Sequence, residues 1–109
     1  MQQLTGEMQR LRSELNLAIQ LSKERGLELA EAEREYRIEL AKRILIERHK
    51  KVPVTIISDI CRGDKNIAGL KFDRDSKEVL YKSANERINA TKLEIRIVEG
   101  NMEAMRKGV

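Results

Sequence analysis

The stretch KNIAGLKFDRDSKEVLYKSANERINATKLEIRIVEGNMEAMRK, residues 65–107, decides the fold. Ile67, Leu70, Arg74, Lys77, Tyr81, Ala84, Ile88, Thr91, Ile95, Val98, Met102 and Met105 follow one another at steps of three and four without a slip. That spacing puts one stripe along an α-helix and is the seam of a coiled coil. A strand would need strict alternation, which is absent here. The spacing therefore predicts a helix from Lys65 to Lys107, with Gly108 as its stop. Arg74 and Lys77 are the two residues of the stripe that do not suit a core.

The N-terminal half repeats the pattern. Leu4, Met8, Leu11, Leu15 and Ala18 form a narrow seam, which weakens at Ser22 to Gly26, where Arg25 falls on it. It resumes with Leu29, Ala32, Tyr36, Leu40 and Ile44. Gly26 costs a helix interior about 1 kcal/mol against Ala, which a long helix absorbs. One helix from Leu4 to about Lys50 is expected, with residues 1–26 as a coiled-coil-like extension of 27–50 and Gly26 as a place for a bend. Ile38, Ala41 and Leu45 add a second stripe, so this end is expected to be covered on more than one side. KKVPVT then stops the helix: Val52 precedes Pro53 and is pushed from the α region, and Pro53 has no N–H to donate. Thr55 is the expected N-cap of a short helix, 55–62, with Ile57, Ile60 and Cys61 on one face. Gly63 ends it, and Asp64 is placed to cap the second long helix.

The resulting expectation is a single all-α domain over 1–109: an elongated antiparallel hairpin of two long helices with a short connecting helix. A rise of 1.5 Å per residue makes each long helix roughly 60–70 Å. A two-helix hairpin gives each residue few neighbours and buries little apolar area. Self-association, with a dimer favoured, or docking on a partner is the expected remedy. The seam Leu4, Met8, Leu11, Leu15 and Ala18 is its candidate surface, and exchange of long helices between chains is feasible.

Composition agrees with long helices. Charged residues make up 37% and aromatics 3% of the chain, and Trp is absent, which disfavours a β-rich domain. Cys61 is the one cysteine, so neither an intrachain disulfide nor a cysteine metal cage can form. Charge interrupts every apolar run, so neither a signal peptide nor a membrane span is expected, and the cytoplasm is the expected compartment. The formal charge is +4. Its basic part is the middle: Lys42, Arg43, Arg48, Lys50, Lys51, Arg62 and Lys65 against Glu47, Asp59 and Asp64. Chain reversal at Pro53 brings these cations to one tip, the candidate contact for a partner protein or for nucleic acid.

No residue is singled out as catalytic, cofactor-binding or metal-binding. His49 is the sole histidine and reads as a solvated residue at a helix end. Cys61 reads as core packing. Glu28, Glu31, Glu35 and Glu39 have helical spacing, with Asp73, Asp75 and Glu78 on the opposing helix. Such acids hold magnesium in all-α nucleotide hydrolases. Here they interleave with Arg34, Arg37, Arg74 and Lys77, which favours neutralising pairs, so a hydrolase is the remote alternative. Arg74 either snorkels to water or pairs with Glu33 or Glu35 to fix the helix register. TIISDICRGDKNIAGLKF hints at a helix-turn-helix, but Asp59 stands where a small apolar residue belongs and the next helix runs too long. No aromatic residue interleaves with the cations to stack on single strands. A non-enzymatic protein-interaction module is the leading expectation, and a nucleic-acid-binding accessory protein the alternative.

In LELAEAEREYRIELAKRIL (27–45), VPVTIISDICRGD (52–64) and LKFDRD with LYKSANERINATKLEIRIVE (70–75 and 80–99), the chain resembles small proteins encoded by phages and prophages of Gram-positive bacteria. The resemblance covers 27–99 and carries no assigned activity and no functional residues. It implies a source class of accessory factors and inhibitors that bind a host or phage enzyme.

Overall fold

The structure is a computed structural model that describes residues 2–108. Among them there are three helices and no strand: α1 Gln2–His49, α2 Val54–Gly63 and α3 Lys65–Arg106. The chain is all-α, two long helices joined by a short one, and no helix among the described residues is long and apolar enough to cross a membrane.

The connections depend on a few residues. α1 ends in a Schellman-type cap, in which Val52 N–H donates to Glu47 O at 3.1 Å and Lys51 N–H to Arg48 O at 3.0 Å. This places Lys51 at φ 64°, the left-handed region in which a side chain costs roughly 1–2 kcal/mol. Pro53, not Thr55, is the N-cap of α2, and no side chain caps that end. A proline with extended ψ needs no N–H there, so the helix starts at once and Thr55 falls in its first turn. Gly63 is the last residue of α2 rather than the residue beyond it. Asp64 serves two helices. Its N–H closes α2 on Cys61 O at 3.2 Å, and its Oδ2 accepts the Ile67 N–H of α3 at 3.0 Å, an N-cap bond of the ordinary kind.

The chain divides into two compact units, one with residues up to Glu24 and from Tyr81 onward, the other Arg25–Leu80. In the first unit, Met8, Leu11 and Val98 make a buried cluster flanked by Leu4, Ile95 and Met102. Ser22 Oγ donates to Asn85 Oδ1 across the helix pair at 2.7 Å. The seam therefore continues through Ser22 with a hydrogen bond in place of an apolar contact. Thr91, buried on the facing stripe, satisfies its hydroxyl on Arg87 O at 2.9 Å, a local bond that costs the helix little.

In the second unit, Ala32, Ile57, Cys61 and Ile67 are buried. Glu33 faces Arg74 and Arg43 faces Asp64, an equal step along both helices, as an antiparallel pair without a slip requires. Along α3 every residue of the predicted stripe is buried or half-buried except Met105, which is exposed.

One surface finds its contact within the chain, and one expectation is corrected. The seam Leu4, Met8, Leu11, Leu15 and Ala18 is turned onto α3 of the same chain, with Leu11 fully buried and Met8 and Ala18 nearly so. It is thus already covered without a second chain. The stripe Ile38, Ala41 and Leu45, expected to be covered, is exposed, Leu45 by 64%. The parallel face Tyr36, Leu40 and Ile44 is the one turned inward, and α2 is too short to reach around both.

Candidate functional site

In the second unit a groove of about 600 Å³ lies between the C-terminal half of α1, α2 and the start of α3. Its floor is apolar. Leu40 and Ile44 come from α1, the buried Ile57 and Cys61 from α2, and the buried Ile67 from α3. These five meet because α1 supplies positions four apart, α2 supplies positions four apart, and Asp64 turns α3 back so that its first seam residue points the same way. Val54, 70% exposed, forms a lip of the groove.

The rim is cationic. Arg48, Arg62 and Lys71 line it, and no carboxylate does. Lys71 donates to Asp75 Oδ2 at 2.9 Å. The Asp75 carboxylate holds the Lys71 ammonium above its usual range. Arg62 reaches Asp59 only at 3.7 Å, with 79% of its side chain exposed. Arg48 stands in the last turn of α1, where a cation suits the helix carbonyl end.

The seven cations expected to form one contact surface separate into two groups. Arg43 is turned inward: its Nε donates to the buried Glu47 at 3.0 Å and its Nη1 to Asp64 at 2.9 Å. It ties the end of α1 to the α2–α3 junction and is not a free contact residue. Lys42 pairs with Glu39 at 3.3 Å, and Lys50 approaches Glu47 at 3.9 Å. All of the seven except Arg43 are exposed, and of these only Arg48 and Arg62 border the groove. Lys71 was not singled out by sequence reasoning, because its helical pairing with Asp75 looks like any solvated face.

Arg74 is not open to water alone. Its guanidinium bonds Glu33 across the helix pair and Glu78 along α3, and donates to Asp75 at 3.0 Å. Glu35 is not among its partners and lies exposed. Arg37 first and Arg74 second pull the Glu33 carboxyl below its usual range. Lys71 first and Arg74 second do the same to Asp75. Lys77, the other polar residue on the stripe, is half-buried near Asp73 at 3.5 Å.

The acidic residues weighed for magnesium are dispersed among cations, with Glu28 on Arg25, Glu31 on Arg34 and Glu39 on Lys42. Among the described residues no group of three His, Cys, Asp or Glu side chains is placed to hold a metal ion. His49 is exposed at the end of α1.

Comparison with known proteins matches no family model, no curated protein and no solved structure.

Proposed function

We propose that this chain is a non-enzymatic helical interaction module that binds a protein partner at the end where α1, α2 and α3 meet. The observation that carries this reading is the groove whose apolar floor of Ile57, Cys61 and Ile67 is bordered by Arg48, Arg62 and Lys71 without a carboxylate. An apolar groove between helices can take the apolar face of a partner's helix, and the cations set which partners approach. Nucleic acid fits it less well, because a phosphate backbone is held by cations and gains little from an aliphatic floor. The role matches the accessory or inhibitory proteins implied by the resemblance to phage-encoded chains, acting in the cytoplasm of the host.

The reading includes a homodimer. With the N-terminal seam covered by α3, a surface open to a second copy is the opposite side of α3 in the first unit, where Leu93 and Ile97 are both more than half exposed. Ala90, Leu93, Ile97, Gly100 and Ala104 keep the three-and-four spacing of a coiled coil there. Light scattering should give a dimer mass for the parent and a monomer mass for a Leu93→Glu, Ile97→Glu double variant; a monomeric parent would remove the dimer.

The interaction role is tested by affinity capture of the intact chain from host lysate, read by mass spectrometry with and without nuclease. The expected result is a discrete protein, recovered equally after nuclease treatment. Recovery of nucleic acid alone, or loss of the protein on nuclease treatment, would replace this reading with the nucleic-acid alternative.

A further inference from the structure

We infer that the groove of the second unit receives one amphipathic helix of an acidic partner protein, with apolar side chains on the floor and carboxylates against the rim. This rests on the interaction role proposed above and adds the chemistry of the partner.

The shape comes first. A helix laid in a groove is read through apolar anchors at positions i, i+3 or i+4, and i+7, which together span about 10 Å. A groove of about 600 Å³ accommodates a few large aliphatic side chains of that kind. Its walls are helices from three directions, and no strand edge exists among the described residues. An extended peptide that needs main-chain pairing therefore finds no template here, whereas a helix satisfies its own backbone and offers only side chains. Val54, exposed at the lip, is the apolar surface such an occupant would cover.

Charge selects the occupant. The chain has 18 Asp and Glu residues, and none of them lines this groove. Lys71 already shares Asp75. Arg48 and Arg62 are the cations left to meet incoming carboxylates, Arg62 being held only by Asp59 at 3.7 Å and Ser58 at 3.4 Å. A cationic helix would leave its charges facing these guanidinium groups and be rejected. The apolar floor holds the helix, and the rim decides which helix enters.

The test uses the full-length chain with isoleucine methyl labelling and two fluorescein-labelled synthetic helical peptides. Both carry leucines at i, i+3, i+4 and i+7; one has glutamates on the flanks of the leucine stripe, the other lysines. Saturable binding of the glutamate peptide is expected, weaker by about tenfold or more for the lysine peptide and for an Arg48→Glu, Arg62→Glu double variant. Methyl shifts should move at Ile44, Ile57 and Ile67 and stay in place at Ile88 and Ile95. Val54→Glu, a change at an exposed position, should weaken binding in the same way without altering the helical circular dichroism. Equal affinity for the two peptides, shifts at Ile88 or Ile95 in place of Ile57 and Ile67, or no binding of either peptide would overturn the inference. Loss of self-association in the arginine double variant would also overturn it, by naming a second copy as occupant. Undiminished protein capture by that variant, with no peptide bound, would retain the interaction role and remove the groove from it.

Discussion

Leu11→Ala is the substitution that most sharply separates a seam closed within one chain from a seam closed between chains. Leu11 has no exposed surface and packs in one cluster with Met8 and Val98. Truncating a buried leucine to alanine costs about 2.7–5.0 kcal/mol where the surroundings cannot collapse. Here the cluster is one layer between two helices, open at its sides, so it can close on the smaller side chain or admit water. The low end applies, about 2–3 kcal/mol. For a chain of this length that corresponds to a fall in Tm of roughly 10–15 °C. Leu17, on the same helix but 70% exposed, is the control, and its change to alanine should stay within about 0.5 kcal/mol. Thermal and urea unfolding of both variants, repeated over a hundredfold range of concentration, is the assay. The Leu11 loss should be the same at every concentration, because its partner Val98 belongs to the same chain. A loss that grows on dilution, or one no larger than that of Leu17→Ala, would refute the placement of the seam.

Three further outcomes rest on individual contacts. Arg43→Met should cost about 1–2 kcal/mol in urea unfolding, less than a fully buried ion pair because a third of the Arg43 side chain is exposed. Glu47→Gln in the same background should recover part of that loss, since it removes the carboxylate left without its guanidinium; an additive second loss would contradict the pairing. Glu33 and Asp75 both have folded pKa values below their ordinary 4.5 and 3.8, so each contributes stability above those values that is lost as the pH falls through the lowered ones. Glu33→Gln should accordingly flatten the fall in stability below pH 4.5, and an unchanged acid profile would remove the Arg37 and Arg74 contacts as its cause. Lys51→Gly should leave stability unchanged or raise it by up to about 1 kcal/mol, because relief of the left-handed strain outweighs the added freedom of the unfolded chain. A clear loss would mean that the Lys51 side chain has a contact of its own.

The helices were legible in the sequence because a coiled-coil seam repeats over many turns, and a long repeat outweighs two misfits such as Arg74 and Lys77. What periodicity does not encode is which chain carries the facing helix. Leu4 to Ala18 has the same spacing whether it meets α3 of its own chain or of another, which is why the seam could be assigned to either. Element ends depended on single residues: Thr55 has the better capping side chain, but Pro53 already supplies the backbone geometry, and the helix starts earlier. The site was half legible. Arg48 and Arg62 stand out as members of a basic run, whereas Arg43, in the same run, is committed to Glu47 and Asp64, partners separated from one another along the chain. Lys71 lay hidden because its local pairing with Asp75 is indistinguishable from a solvated face until α2 is folded beside it. The floor could be read only in part, since Ile57 and Cys61 announce an apolar side of α2 but not the depth of the space above it.

Site-specific photo-crosslinking in living cells tests the central claim most directly. A photoreactive amino acid is placed at Ser58, on the groove wall, and in a separate chain at Lys92, exposed in the first unit. The groove reading predicts a discrete adduct to an acidic protein from Ser58 and none to that protein from Lys92. The same adduct from Lys92 alone, or only nucleic-acid adducts from Ser58, would contradict it.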